Sequence, residues 1–201
     1  NRVGPENYGL YFSLLNLSVL FNILLDFGIN NYTTKNLAQN PEEIKKYFGR
    51  VFTFRIVLFS FYSVFTFGLA YVLGYSGRPM FLLSFLILNQ FLILTIAYFR
   101  SHFAGFHFFK TDAFISVLDR GLLIIVGGLL LFSPWAPKNL QIEWFIWIQT
   151  FCYGTTLIVG FILLIKHLKR PYFSWDPAFS IELIKKSWPY ALLIVLMLLY
   201  T

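Results

Sequence analysis

Two charged residues, Asp119 and Arg120, stand side by side within a long apolar run of the chain. A charge at the centre of a lipid bilayer costs about 2.5–3.5 kcal/mol on insertion scales, so such charges are candidates for a functional site. Because neighbouring residues on a helix point about 100° apart, we expect these two side chains not to pair with each other. At least one of them should face either a water-filled cavity or a partner helix, and the sequence leaves both open.

A second pair of opposite charges, Asp26 and Arg55, lies near the ends of two successive apolar runs. The two side chains could pair across the hairpin that these runs would form. A structural ion pair and the extension of each charge to the membrane surface are both consistent with this position. The sequence therefore leaves a structural role open beside a role in a functional site.

Three amide side chains lie midway along apolar runs: Asn89, Gln90 and Gln149. Polar side chains in this setting most often form hydrogen bonds between helices, each contributing about 0.6–2 kcal/mol. We expect that role for all three.

The remaining residue types that could ligate a metal do not form a pattern. Three histidines, predicted to lie at loops, lack the spacing of a metal site: His102, His107 and His167. The single cysteine, Cys152, excludes an internal disulfide and reads as a small core residue. No metal site and no resident cofactor are expected.

The composition indicates which elements must hold these side chains. Of the 201 residues, 58% are hydrophobic and 12% are charged, with a net charge of +7. Soluble domains contain about 45–50% apolar and about 25% charged residues. A soluble domain of this size could not bury so much apolar surface, which excludes a soluble enzyme, a disordered chain and a disulfide-linked secreted domain. The chain is predicted to be a polytopic membrane protein.

Six apolar runs approach or reach the roughly 20 residues that a helix needs to cross a bilayer. None shows the alternating pattern of a membrane barrel, so the predicted fold is an all-α bundle of membrane helices. The runs cover residues 10–27, 56–77, 79–99, 112–133, 144–165 and 187–201, and the last is cut off by the chain end.

The basic residues predict which way the chain faces, because Lys and Arg are enriched in cytoplasmic loops. Twelve of the 16 basic residues lie in the alternate connections 30–55, 100–110 and 166–186, which we therefore place in the cytoplasm. The opposite side carries Arg2, Arg78 and Lys138. In this orientation the first run enters from outside, so we expect at least one helix before it and further helices after the sixth run.

The connection 166–187 contains Pro171 and Pro177 and then apolar residues mixed with lysines. This pattern is typical of a short helix on the inner leaflet, where anionic lipids attract the lysines. A hinge between two halves of a larger transporter is equally consistent with it.

Several segments resemble bacterial polysaccharide (Wzx-type) flippases. Residues 4–11, GPENYGLY, resemble the GPEEYGLY stretch that follows the first helix of that family, and residues 25–28, LDFG, resemble the motif closing its second helix. Weaker similarities, in the right order, cover residues 98–100, 105–120 and 184–189. The resemblance extends over the whole chain.

This resemblance implies the multidrug/oligosaccharidyl-lipid/polysaccharide superfamily, with two six-helix lobes around a central cavity. The chain would supply helices two to six of a MATE-like N-terminal lobe (residues 1–165), a cytoplasmic linker with an interfacial helix (166–187) and the start of the second lobe (188–201). The implied activity is movement of an undecaprenyl-diphosphate-linked oligosaccharide to the outer leaflet of the bacterial cytoplasmic (inner) membrane. The resemblance assigns Arg120 and Arg55 to the diphosphate, and Asn89, Gln90 and Gln149 to the sugars.

Two alternatives remain. One is a cation-coupled exporter or a lipid II flippase, in which Asp26 and Asp119 would hold a coupling Na⁺ or H⁺. The other is a membrane polysaccharide polymerase or acyltransferase, which the short outward loops without paired carboxylates or histidines disfavour. We expect a transporter that is not an enzyme. Its expected partners are a lipid-linked oligosaccharide, membrane lipids and other polysaccharide-assembly membrane proteins, with no nucleic acid.

Overall fold

The computed structural model describes residues 4–39, 44–132, 141–168 and 173–200. These residues form eight helices and no strand, which confirms the predicted all-α fold. The helices are α1 (Pro5–Leu20), α2 (Asn22–Asp26), α3 (Ile29–Gln39), α4 (Ile44–Val72), α5 (Arg78–Gly105), α6 (Phe109–Phe132), α7 (Ile142–Leu168) and α8 (Pro177–Tyr200).

Four helices are long and apolar enough to cross a membrane: α4, α5, α6 and α7. Helices α1 to α3 make a fifth candidate span if they count as one element, which is bent by 44°. The sixth predicted run lies in α8, which over its described residues is not among the helices that are long and apolar enough to cross a membrane. The chain is thus a multi-pass membrane protein.

The 44° bend lies at Phe21, between α1 and α2. A second interruption, between α2 and α3, is formed by two residues with a left-handed backbone, Phe27 (φ +44°) and Gly28 (φ +74°). Gly28 fits here for a second reason, because α8 crosses it closely. A Cβ atom on Gly28 would lie 2.5 Å from the backbone nitrogen of Ala191 and 2.8 Å from the carbonyl oxygen of Ser187. The first predicted run, 10–27, is therefore only part of a longer bent element.

The predicted cytoplasmic connections are more helical than we expected. Connection 30–55 contains most of α3 and the first turns of α4, and residues 177–187 of the predicted linker form the first turns of α8. Helix α8 continues without a break through Pro189, so its early turns do not form a separate short helix. The predicted turn at residues 40–43 and the prolines of residues 133–140 lie outside the described residues.

Helix α5 lies at the centre and packs against α1, α3, α6 and α7. Toward its start the core is mostly aliphatic, with Leu14, Leu82 and Leu86 fully buried, and toward its end it is aromatic, with Phe48 and Phe99. This end also buries His102, whose Nδ1 lies 2.8 Å from the carbonyl oxygen of Tyr98. The prediction that His102 lies at a loop is wrong, because α5 continues past it to Gly105.

Ion pairs tie the helix ends together. At one end Arg78 Nε lies 2.6 Å from Glu143 Oε1 and Arg78 Nη1 lies 3.2 Å from Asn7 Oδ1, which joins the starts of α5, α7 and α1. At the other end, Arg100 pairs with Asp112 at 2.7 Å. The candidate spans from α4 to α7 therefore alternate in direction, as the alternation of basic connections requires.

Candidate functional site

The predicted pair of Asp26 and Arg55 is present and buried. Arg55 Nη1 and Nη2 each lie 3.2 Å from Asp26 Oδ1, and only 2% of Arg55 is exposed to solvent. The prediction that these residues pair across the helices is confirmed. Extension of Arg55 to the membrane surface does not occur in this structure.

Two further acceptors complete the surroundings of the Arg55 guanidinium. Nη1 donates to Asn30 Oδ1 at 2.8 Å, and Nη2 donates to the carbonyl oxygen of Leu94 at 3.0 Å. The guanidinium also lies 5.0 Å from the centre of the Tyr98 ring. The four N–H groups on Nη1 and Nη2 thus all have an acceptor, so these atoms have no donor left for a ligand.

The break between α2 and α3 explains this arrangement. Asp26 ends α2 and Asn30 lies in the first turn of α3, so the two acceptors bond Arg55 from either side of the break at Phe27 and Gly28. Sequence reasoning missed Asn30, which follows Asp26 across this break.

The pair of Asp119 and Arg120 differs from expectation. Arg120 Nε lies 4.0 Å from Asp119 Oδ2, and Asp119 Oδ1 accepts a hydrogen bond from the backbone N–H of Arg120 at 2.6 Å. The expectation that the two side chains do not pair is therefore wrong. The long, flexible Arg120 side chain lets its guanidinium turn back toward a carboxylate that starts about 100° away around the helix.

Arg120 is the central residue of the candidate span Phe109–Leu131, and 79% of its side chain is exposed, against 17% for Asp119. Almost none of the apolar residues of this span are buried, so the described helices do not cover its outer face. A guanidinium at this depth cannot lie in hydrocarbon without a cost of about 2.5–3.5 kcal/mol. Of the two settings that the sequence left open, a polar cavity fits this position better than a bond to a described helix.

Polar groups on α7 and α1 are linked to this pair of charges by electrostatic interaction and by a hydrogen bond of their own. Tyr153 on α7 is within electrostatic range of Arg120, Asp119 and Tyr11. One turn earlier on α7, Gln149 Nε2 donates to the hydroxyl oxygen of Tyr11 at 3.2 Å. We call these five residues the Arg120 cluster. Sequence reasoning missed Tyr11 and Tyr153, although Tyr153 follows Gln149 by four residues on one helix face.

The amides divide into bonded and unbonded groups. Asn22 Nδ2 donates to Gln90 Oε1 at 3.0 Å, so Gln90, like Gln149, forms the predicted bond between helices. Asn89 is 2% exposed, and neither its Oδ1 nor its Nδ2 has a hydrogen-bond partner among the described residues. The predicted interhelical bond of Asn89 is therefore absent from the described structure.

The seven candidate residues thus occupy several places. Arg55 and Asp26 form a closed ion pair, Gln90 and Asn89 lie within the bundle, and the other three belong to the Arg120 cluster. Within the described part of the chain, no group of three or more His, Cys, Asp or Glu side chains could hold a metal ion.

A family model described as "Polysaccharide biosynthesis protein" matches residues 1–201. No curated protein and no solved structure matches the chain.

Proposed function

This chain belongs to the polysaccharide biosynthesis protein family, and on that basis we propose that it moves a lipid-linked oligosaccharide across the bacterial cytoplasmic membrane. The substrate in this proposal is an oligosaccharide joined to undecaprenyl by a diphosphate. Such a molecule has a doubly charged anion between an apolar chain and a polar glycan, so its passage requires a cation and hydrogen-bonding groups at membrane depth.

The observation that carries the proposal is the exposed guanidinium of Arg120 at the middle of a span. A guanidinium binds phosphate oxygens through two parallel N–H donors, and this interaction strengthens where water is sparse. Asp119 is 4.0 Å away and leaves most of the Arg120 side chain exposed. We assign Arg120 to the diphosphate.

Arg55 receives a different role. Its terminal nitrogens are held by Asp26, Asn30 and the carbonyl oxygen of Leu94. Breaking these bonds to admit a diphosphate would leave Asp26 buried without a partner, which is strongly unfavourable. We therefore propose that Arg55 maintains the break between α2 and α3.

The polar groups of the Arg120 cluster suit a glycan. Hydroxyl and amide groups both donate and accept, as sugar hydroxyls do, and Tyr153, Gln149 and Tyr11 offer these groups on α7 and α1, with Tyr153 within electrostatic range of Arg120. We propose these three residues for the sugar nearest the diphosphate, in place of Asn89 and Gln90. Asp119 is the carboxylate we propose for a coupling Na⁺ or H⁺, since Asp26 is neutralised by Arg55.

The test is translocation of a fluorescent undecaprenyl-diphosphate oligosaccharide in vesicles that contain the protein. We expect Arg120→Gln to reduce the rate about 10- to 100-fold, because a charge-assisted bond contributes about 1.5–3 kcal/mol. Arg120→Lys keeps the charge without the paired donors, so its translocation rate should lie between those of Arg120→Gln and wild type. Lys110→Gln on the same helix removes a basic residue near the start of α6 and should translocate like wild type.

Equal rates for Arg120→Gln and Lys110→Gln would reject Arg120 as the diphosphate ligand. Absence of any translocation by wild type, together with failure to restore surface polysaccharide in a cell lacking its own flippase, would reject the transport proposal. Translocation of a small organic cation driven by Na⁺ or H⁺, and its loss in Asp119→Asn, would instead support the cation-coupled exporter.

A further inference from the structure

A second polar feature lies apart from the Arg120 cluster, in a cavity of about 510 Å³ between α3 and α8. Helix α3 contributes Lys35, Asn36 and Gln39, and α8 contributes Lys186 and Tyr190. The volume falls within the range of about 300–1,000 Å³ that is usual for small-molecule sites. The cavity opens to the surface at the end of the bundle that the basic residues predict to be cytoplasmic.

The charge of the cavity is positive. Lys35 and Lys186 stand on opposite walls, and the ammonium of Lys35 lies 6.0 Å from the centre of the Tyr190 ring. None of the described lining residues is a carboxylate. An acidic partner, Glu182, lies one turn earlier on α8, and its Oε1 is 2.6 Å from Lys186 Nζ.

Neutral donors surround these two cations. Asn36 and Gln39 each offer an amide NH₂ group, and Tyr32, whose ring centre lies 6.3 Å from that of Tyr190, offers a hydroxyl. An anion with several oxygens can accept from an ammonium and from amide and hydroxyl donors at the same time. A phosphate has this pattern of acceptors.

We infer that this cavity between α3 and α8 binds the phosphate of an anionic lipid headgroup. Basic pockets between membrane helices at the cytoplasmic surface favour such headgroups, because their lysines lie within the negative surface potential of the inner leaflet. The inference does not depend on the transport proposal, since it uses none of the residues of the Arg120 cluster.

In the experiment, the protein in a neutral detergent is titrated with phosphatidylglycerol or with phosphatidylcholine. Native mass spectrometry then counts the lipid molecules that stay bound to it. A second arm titrates inorganic diphosphate by calorimetry, to separate a lipid headgroup from a soluble phosphate. The double variant Lys35→Gln with Lys186→Gln should weaken phosphatidylglycerol retention about 10- to 30-fold, from about 1 kcal/mol for each lysine. The matched control, Lys166→Gln with Lys185→Gln, removes the same charge from exposed positions outside the lining.

Glu182→Gln should change phosphatidylglycerol retention in the opposite direction. It removes the carboxylate that competes for Lys186, so phosphatidylglycerol retention should increase. If only the cavity double variant loses phosphatidylglycerol retention, the result supports the site. If that variant loses diphosphate binding but keeps phosphatidylglycerol retention, the site binds a soluble phosphate and the proposal of a lipid headgroup is overturned. Equal losses in the cavity and control double variants, in both arms, would show diffuse attraction by surface charge and overturn the site altogether.

Discussion

Gly28 and Ala191 are in backbone contact across α3 and α8, because a single added methyl group on Gly28 would reach to 2.5 Å from the Ala191 nitrogen. This distance is shorter than any ordinary contact. The approach is possible only because residue 28 lacks a side chain, and the same residue adopts φ +74°, where a Cβ atom is also unfavourable.

Gly28→Ala should therefore destabilise the protein. The left-handed backbone alone costs about 1–2 kcal/mol for a residue with a Cβ, and displacement of α8 adds to it. We expect Tm to fall by at least about 5 °C, at about 2–4 °C per kcal/mol for a chain of this length. Gly68→Ala in α4 is the control, since its Cβ would meet nothing within 4 Å and its Tm should stay equal or rise. Equal Tm values for both variants would contradict the close contact.

Asp26→Asn should also destabilise the protein, because it leaves Arg55 charged and buried. Removing one partner of a buried ion pair costs about 3–5 kcal/mol, whereas a partly exposed pair contributes about 0–1 kcal/mol. Asp112→Asn breaks the partly exposed pair with Arg100 and is the control. Thermal unfolding in detergent measures both. The fall in Tm of the double variant, Asp26→Asn with Arg55→Gln, should be smaller than the sum of the falls of the two single variants. Falls in Tm that simply add would contradict the pairing.

Two adjacent residues of α5 should respond in opposite directions. Asn89 is buried and neither end of its amide has a described partner, so Asn89→Leu should raise Tm, since an unsatisfied buried group costs about 1–3 kcal/mol. Gln90→Leu removes the acceptor of Asn22 and should lower Tm. A fall in Tm for Asn89→Leu would indicate that the amide binds a water molecule or a ligand in the folded protein.

The orientation of the bundle can be tested with a membrane-impermeant thiol reagent on intact cells. Ser76 is exposed in the turn between α4 and α5, which we predict to be outside, so Ser76→Cys should be labelled. Lys110→Cys, near the start of α6, should react only after the cells are permeabilised. Wild type is the control, because its single Cys152 is buried. The reverse labelling pattern would place the basic connections outside.

The spans were predictable because membrane helices need long apolar runs, and five of the six runs overlap a candidate span when the bent first element counts as one. Asp26 and Arg55 were also predictable as partners, because a buried charge requires one of opposite sign. Helix α3 was not predictable from its residues. Its asparagines and threonines are weak helix formers, and its burial of Thr33 and Leu37 results from packing against α5 and α8.

The Arg120 cluster was only partly predictable. Arg120, Asp119 and Gln149 were identified by their polarity within apolar runs, but tyrosine is common in such runs and gave no signal for Tyr11 or Tyr153. The contact between Arg120 and Asp119 depends on the rotamer of a long side chain, which spacing along a helix does not determine.

The bonds of Arg55 have a mechanical consequence. Because one guanidinium bonds Asp26 before the break at Phe27 and Gly28, Asn30 after it and the backbone of α5, the two sides of this break are held to α4 and α5. These elements should move as one rigid body. A change in the shape of this half would then involve the contact between α3 and α8, where the backbones meet at Gly28 and the ring centres of Tyr32 and Tyr190 lie 6.3 Å apart.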